Sequence, residues 1–133
     1  MNLSNLPVLS WCLIVRNCAA DLERCLKSVR ERTPDAEIVV VDTCSNDRAA
    51  PDQEPATHAV ARRYADVFAV YRGPHDNWTE DMLAFDDAAA ARQRSFELAH
   101  GRWRAWIDAD DGLPGPDEAE RLLRVNCRWQ PPP

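Results

Sequence analysis

The sequence predicts an α/β domain of three layers, with about four parallel strands flanked by helices. Apolar runs of strand length alternate along the chain with segments of helical periodicity, which is typical of βαβ units. The second of these runs is apolar at consecutive positions, as expected of a strand covered by helices on both faces of a parallel sheet. A chain of 133 residues is long enough for one such core rather than two.

The first part of the chain supplies two strands and a helix. The run LSWCLIV at residues 9–15 is rich in β-branched and aromatic side chains and predicts a buried strand. Residues 20–30 carry apolar side chains at i, i+3, i+4 and i+7, which predicts one apolar stripe on a helix. A Thr-Pro-Asp turn at 33–35 ends that helix, and EIVVVD at 37–42 predicts the second strand.

The middle of the chain repeats this order. Residues 43–55 are polar and contain two prolines, so they predict a loop. A helix over residues 56–65 and a short strand over residues 67–71 are expected next.

The most strongly predicted helix lies in the segment DDAAAARQRSFELAHG, residues 86–101. Alanines favour its interior, Asp86 or Asp87 can cap its start, and Gly101 suits the position just past its end.

The remainder of the sequence predicts one further strand and one further helix. RWRAWID at 102–108 is the fourth strand, and Pro116 suits the first turn of a last helix that runs to about residue 125. We therefore expect one domain over residues 1–125 and a proline-rich C-terminal tail over residues 126–133.

Composition predicts a folded protein of the cytoplasm. Hydrophobic residues make up 45% and charged residues 29% of the chain, and the net charge of −6 argues against non-specific nucleic-acid binding. No apolar run of membrane-spanning length and no signal peptide is recognised. An odd number of cysteines without a C-x-x-C pair favours reduced, mostly buried thiols over disulfides or a zinc site. The cysteines are Cys12, Cys18, Cys25, Cys44 and Cys127.

The clearest chemical signal is the acidic segment DADD at residues 108–111, directly after the fourth predicted strand. In an open parallel sheet, ligands bind beyond the carboxyl ends of the strands, where the strand order reverses. Residues 16–17 and 42–47, which end or follow the other strands, should meet the acidic segment in one crevice. Carboxylates at this spacing suit Mg²⁺ or Mn²⁺ bound to a substrate phosphate; a solvated acidic turn without metal is the alternative. The candidate ligands are Asp108, Asp110 and Asp111.

Other sites that use similar residues fit this pattern less well. An EF-hand needs glycine at its sixth position and an acid at its twelfth, whereas Gly112 is fifth from Asp108 and Ala119 is twelfth. Dinucleotide and P-loop glycine patterns are absent from the sequence, and Ser45 lies outside any G-x-S-x-G. The D-x-D motif of haloacid dehalogenase-like phosphatases resembles this segment only loosely. The histidines, at 58, 75 and 100, are scattered and are interpreted as structural or surface groups.

Two arginines on the helix before the fourth predicted strand differ in their local partners. Arg94 has Glu97 three residues on, so we expect an exposed ion pair of small energetic value. Arg92 has no acidic residue three or four positions away on either side. On the helix that leads into the acidic crevice, Arg92 is a candidate for binding a diphosphate, and a solvated arginine is the alternative.

Five segments together resemble family 2 glycosyltransferases of the GT-A fold. The segments are WCLIVRN, LERCLKSV, EIVVVDTCSND, AAARQRSFELAHGRW and WIDADD, and the resemblance covers residues 10 to about 112. It is closest to bacterial members with C-x-I-V-K-N-E and V-V-D-T-G-S-x-D segments. The resemblance implies a Rossmann-like nucleotide-binding half, a nucleotide diphosphate sugar with uracil as the usual base, a divalent Mg²⁺ or Mn²⁺ ion, and inverting transfer of the sugar.

The resemblance also implies roles for single residues at the nucleotide. Asp42 would contact the nucleobase, with Val15 and Arg16 lining that end of the crevice. Arg92 matches the arginine of the family's A-R-N segment and would lie near the nucleotide.

The acidic segment matches the family's D-x-D motif. Asp108 and Asp110, with Asp111 following, would hold the ribose and the metal on the diphosphate. The cation would stabilise the negative charge that develops on the departing nucleotide diphosphate.

Two positions depart from the family pattern. Cys18 stands where an acidic residue is usual, and Cys44 stands where D-T-G-S has its glycine. If that position needs a positive φ, a cysteine there carries strain.

The family's acceptor site and catalytic base lie downstream of the D-x-D, in a second half that this sequence lacks, so no catalytic residue is assigned. A fragment, a donor-binding half that needs a partner chain, and an inactive protein are three open interpretations. Two other functions stay open as well: a non-catalytic module that binds nucleotide or protein, and a Mg²⁺-dependent phosphohydrolase. Apolar surface that the second half would cover predicts self-association or a partner chain over that face.

Overall fold

One sheet of four parallel strands forms the centre of the protein. The structure is a computed structural model and describes residues 6–81 and 87–113. The strands are β1 (Leu9–Val15), β2 (Glu37–Asp42), β3 (Val67–Val70) and β4 (Trp103–Trp106). They lie in the order β3-β2-β1-β4, and every neighbouring pair is parallel. The predicted α/β class with about four parallel strands is therefore confirmed.

Within the described residues, three helices cover the two faces of this sheet: α1 (Ala19–Arg32), α2 (Ala56–Tyr64) and α3 (Ala88–Leu98). On one face, α1 and α2 pack on β1 and β2 in the larger core, which includes Leu13, Leu26 and Val40. On the other face, α3 packs on the same two strands through a smaller core around Cys12 and Val39. The three predicted layers are therefore present.

Strand β2 is buried along its whole length. Its neighbours are β1 and β3, so each edge of the strand is paired, and the helices cover both of its faces. Side chains alternate between the two faces of a strand, so the uninterrupted apolar run from Ile38 to Val41 supplies both cores at once.

Helix α3 begins as predicted but ends earlier. The Asp87 carboxylate accepts a hydrogen bond from the Ala90 N–H at 2.8 Å and caps the first turn, whereas Asp86 lies outside the described residues. The helix ends at Leu98, because Ala99 has an extended backbone (ψ 144°) and the His100 N–H donates to Glu37 instead of to the helix. The prediction that Gly101 directly follows the helix is wrong.

A buried polar cluster explains both the early end of α3 and the glycine. The Ser10 hydroxyl donates to Glu37 Oε1 at 2.7 Å, and the Gly101 N–H donates to the Ser10 hydroxyl at 2.8 Å. A Cβ on Gly101 would lie 2.5 Å from Ser10 Oγ, so only glycine fits here. His100 Nδ1 lies 2.7 Å from Glu37 Oε2. Burial acts to raise the pKa of Glu37, but the hydrogen bonds from His100 and Ser10 outweigh it and hold the pKa below its ordinary value. The cluster joins β1, β2 and the start of β4 at the amino ends of the strands.

Strand β4 forms one edge of the described sheet and exposes two tryptophans. Trp103 is 69% exposed and Trp106 is 57% exposed. The strand is shorter than the predicted 102–108, although its position is as expected. Exposed apolar surface is thus present, and the self-association expected over it stays a prediction.

Some predicted features fall outside the described residues. They are the last helix to residue 125, the domain end at that residue, and the proline-rich tail at 126–133. Among residues 6–81 and 87–113, no helix has the length and apolar character needed to cross a bilayer.

Candidate functional site

The carboxyl ends of β1, β2 and β4 lie at one edge of the sheet. In the parallel register, Val15 pairs with Asp42 and Cys12 pairs with Trp106. The chain passes from β1 to β2 and β3 on one side of β1, whereas β4 pairs with the other side of β1. The strand order therefore reverses at β1. This is where open α/β sheets bind ligands. The segments that follow the three strands therefore share one edge, as the sequence predicts; they are residues 16–17, 43–47 and 108–111.

Asp42 supports the loop that follows β2. Its side chain is fully buried. The carboxylate accepts hydrogen bonds from the N–H of Ser45 at 2.8 Å and from the Ser45 hydroxyl. His58 Nε2 lies 2.9 Å from the same carboxylate, and the His58 ring packs edge-on against Phe68. His58 is thus a structural group, as the sequence interpretation has it. No carboxylate surface is exposed in this arrangement, so contact between Asp42 and a nucleobase stays a prediction that requires the loop to move.

Two backbone turns in the left-handed region shape the rim beside Asp42. Asn17 has φ +47° and Cys44 has φ +64°. The Asn17 N–H donates to Ser45 Oγ at 2.9 Å, and Asn17 and Asn46 exchange two further hydrogen bonds of 2.8 and 2.9 Å. The position of Cys44 therefore does need a positive φ, where a side chain costs about 1–2 kcal/mol of backbone strain.

A second loop, residues 71–81, closes against this rim through Glu80. The Glu80 carbonyl accepts hydrogen bonds from the Arg16 guanidinium at 3.4 Å and from the Asn46 side chain at 3.0 Å. Arg48 binds the Glu80 carboxylate with two nitrogens, at 2.6 and 3.0 Å. This pairing raises the pKa of Arg48 and lowers that of Glu80. These contacts could not be predicted from the sequence, because Glu80 lies far from its partners along the chain.

The start of α1 is tied to the same loop at Cys18. The Cys18 N–H donates to the Thr57 hydroxyl oxygen at 2.9 Å, and the Thr57 hydroxyl donates to Asp47 at 2.6 Å. Asp47 also accepts from the Thr57 N–H at the start of α2. The hydrogen bond from its backbone N–H thus holds Cys18 at the start of α1.

The cysteine thiols of the described residues are free, as predicted. Burial raises the pKa of Cys12, Cys18 and Cys25 to about 11 in each case. Cys44 is also buried, and burial raises its pKa.

Three exposed carboxylates converge just beyond β4. Asp108, Asp110 and Asp111 can each offer one oxygen, and these oxygens lie within 4.8 Å of one another. A turn arranges them, since the Asp111 N–H donates to the Asp108 carbonyl at 2.9 Å. The Cys25 thiol donates to the same carbonyl at 3.7 Å. Oxygens on opposite sides of Mg²⁺ are separated by roughly 4 Å, so small rotations of exposed side chains are sufficient. The donor set therefore fits Mg²⁺ or Mn²⁺, both of which prefer oxygen ligands. We call these three residues the aspartate cluster.

Arg92 reaches the aspartate cluster from α3. Its guanidinium nitrogen lies 3.6 Å from Asp108 Oδ1, and its guanidinium carbon lies 4.9 Å from the centre of the Trp106 ring. The sequence correctly predicts that Arg92 has no acidic partner on its own helix. Its partners are Trp106 on β4 and Asp108 just after that strand. The neighbouring Arg94 makes the expected exposed pair with Glu97, at 3.4 Å.

Comparison with known proteins identifies the family of this chain. Residues 10–125 match the family model for Glycosyl transferase family 2. A putative glycosyltransferase, EpsH of Bacillus subtilis, is 31% identical over 90% of this chain and 30% of its own length. A TPR repeat-containing protein of Synechococcus elongatus is 36% identical over 78% of this chain and 21% of its own length. The chain thus spans less than a third of these curated relatives.

The match to the family extends from the second residue of β1 to beyond the aspartate cluster, and it includes the loops that follow β1, β2 and β4. By its sequence and by its parallel α/β fold, this chain belongs to glycosyl transferase family 2.

Proposed function

We propose that this chain binds the donor of a glycosyl transfer reaction, a nucleotide diphosphate sugar held with a divalent cation. The observation that carries the proposal is the position of the aspartate cluster beside Arg92, at the switch point of the sheet. Acidic oxygens suited to a hard cation and a guanidinium suited to phosphate thus lie side by side. Membership of the glycosyltransferase family supports the same conclusion.

In this proposal, Asp108, Asp110 and Asp111 would hold Mg²⁺ or Mn²⁺ on the diphosphate. When bound, the cation stabilises the charge that develops on the departing nucleotide diphosphate. Arg92 donates hydrogen bonds to the diphosphate from the α3 side, and its positive charge stabilises the same developing charge.

The nucleobase end is assigned to the loops after β1 and β2, with UDP as the proposed nucleotide. The Val15 side chain is buried, and its carbonyl accepts hydrogen bonds from the Thr43 N–H at 2.9 Å and the Thr43 hydroxyl at 3.1 Å. The Arg16 guanidinium donates to the Thr43 carbonyl at 3.2 Å. Val15 and Asp42 therefore act by shaping the wall of the crevice, and Arg16 lies on its rim.

Transfer of the sugar also needs a base for the acceptor hydroxyl, and none of the described residues is assigned to this step. The activity proposed for this chain alone is donor binding. Glycosyl transfer, with its sugar and acceptor, is proposed for the whole protein.

Calorimetric titration with UDP, in buffer with and without MnCl₂, tests the proposal. Native protein should bind UDP only when Mn²⁺ is present. Asp110→Asn should weaken binding at least about tenfold, since changes even to groups that merely support metal ligands cost about 10–100-fold. Asp35→Asn is the matched control, because Asp35 is exposed at the opposite end of the sheet, and it should bind as the native protein does.

Three outcomes would contradict the proposal. One is UDP binding that depends neither on Mn²⁺ nor on Asp110. Another is the absence of any binding. The third is release of phosphate from p-nitrophenyl phosphate in the presence of Mg²⁺, which would favour a phosphohydrolase.

A further inference from the structure

Arg92 has two partners, an indole ring and a carboxylate. Its guanidinium carbon lies 4.9 Å from the centre of the Trp106 ring, a distance at which the positive charge is attracted to the ring face. A guanidinium nitrogen lies 3.6 Å from the Asp108 carboxylate. That separation is too long for a hydrogen bond, so the ion pair attracts Arg92 without fixing its direction.

The two contacts respond differently to a bound cation. Asp108 belongs to the aspartate cluster, and a divalent ion there would compete with Arg92 for the same carboxylate oxygens. The indole ring is not a ligand for Mg²⁺ or Mn²⁺, so its contact with Arg92 persists. Trp106 is then the group that keeps the guanidinium at the edge of the cluster.

We propose that Trp106 is a positioning residue, which stacks on Arg92 and keeps its guanidinium directed at the diphosphate of a nucleotide while the cation engages Asp108. This inference rests on the proposed function and adds a residue to it. Neither the D-x-D nor the A-R-N resemblance assigns a role to Trp106.

Strand β4 also provides a matched control. Trp103 is of the same residue type, lies on the same strand and is exposed to a similar degree. Because side chains alternate between faces, residues three apart lie on opposite sides of the sheet. The ring over which the Arg92 guanidinium lies is that of Trp106. Loss of Trp103 therefore removes an indole without touching Arg92.

UDP titrations in MnCl₂ on five variants test the inference; they are Trp106→Ala, Trp106→Phe, Trp103→Ala, Arg92→Gln and the double variant Arg92→Gln/Trp106→Ala. Trp106→Ala should weaken UDP binding about two- to fivefold, the range expected for an exposed cation–π contact. Trp106→Phe retains a ring and should stay closer to native affinity, and Trp103→Ala should match the native protein. In an Arg92→Gln background, adding Trp106→Ala should cause no further loss, because the ring acts through the guanidinium.

A second measurement needs no nucleotide. The Arg92 side-chain proton resonances should be shifted upfield by the ring current of Trp106. The shift should disappear in Trp106→Ala and persist in Trp103→Ala. Thermal unfolding of each variant confirms that it is folded.

The results separate this inference from the proposed function. Native affinity in Trp106→Ala, or an equal loss with and without Arg92, overturns the role of Trp106. It leaves donor binding intact if Asp110→Asn still binds UDP at least about tenfold more weakly than the native protein. Absence of UDP binding by the native protein overturns both.

Discussion

Replacing Asp42 by asparagine tests whether this carboxylate supports the loop after β2. The side chain is fully buried and accepts hydrogen bonds from the N–H and hydroxyl of Ser45, and it also contacts His58. Asparagine has the same size but carries no charge, and its NH₂ group must replace one of the two carboxylate oxygens, so it cannot accept both hydrogen bonds that Ser45 donates. Hydrogen bonds to charged groups contribute about 1.5–3 kcal/mol, and a buried group left unsatisfied costs about 1–3 kcal/mol. We expect Asp42→Asn to lower the free energy of unfolding by about 3 kcal/mol.

Urea denaturation followed by tryptophan fluorescence measures this change. Asp52→Asn is the control, because Asp52 is exposed in the same loop, and substitutions at such positions change stability by about 0.5 kcal/mol or less. If Asp42→Asn were as stable as this control, the carboxylate would not support the loop. Its role would then have to be direct contact with a ligand, as the family resemblance implies.

Substitutions at three other positions probe the fold. The hydrogen bonds to Glu37 lower the pKa of its carboxyl group below 4.5 in the folded state. The contribution of Glu37 to the free energy of unfolding should therefore be fully present above pH 4.5 and be lost as the pH falls through the lowered pKa. Denaturation curves of Glu37→Gln should lack this acid sensitivity. Gly101→Ala places a Cβ 2.5 Å from Ser10 Oγ and should lower the free energy of unfolding by about 1–3 kcal/mol; an unchanged melting temperature would contradict the packing. Cys44→Gly should relieve about 1 kcal/mol of strain at φ +64°, whereas Cys44→Val should lower the melting temperature.

The fold could be predicted from the sequence because its signals are local. The consecutive apolar residues of β2 indicate a strand covered on both faces, and the apolar stripe of α1 indicates a helix with one packed side. The acidic segment after β4 could be placed at the carboxyl edge for a similar reason: parallel strands bring their ends together whatever their distance along the chain. The three layers follow from these elements, whereas the strand order is known from the structure.

Contacts between distant residues could not be predicted in this way. His58 contacts Asp42, and Glu80 binds Arg48, but nothing in the local pattern of any of these residues indicates its partner. The end of α3 could not be predicted for the same reason. The His100 N–H donates to Glu37, a distant residue, instead of to the helix, so the helix ends before His100.

Trp106 illustrates the limit most clearly. Its apolar character predicted a strand residue, and β4 does contain it. Its contact with Arg92 depends on how α3 crosses the sheet, which the periodicity of α3 does not specify.

Anomalous scattering from manganese, in crystals grown with MnCl₂ and UDP, tests the central claim most directly. We predict one Mn²⁺ peak bonded to the aspartate cluster and to oxygens of the UDP diphosphate, with the Arg92 guanidinium beside those oxygens. A nucleotide bound away from the carboxyl edge of the sheet, or manganese held only by acidic residues elsewhere, would contradict the account.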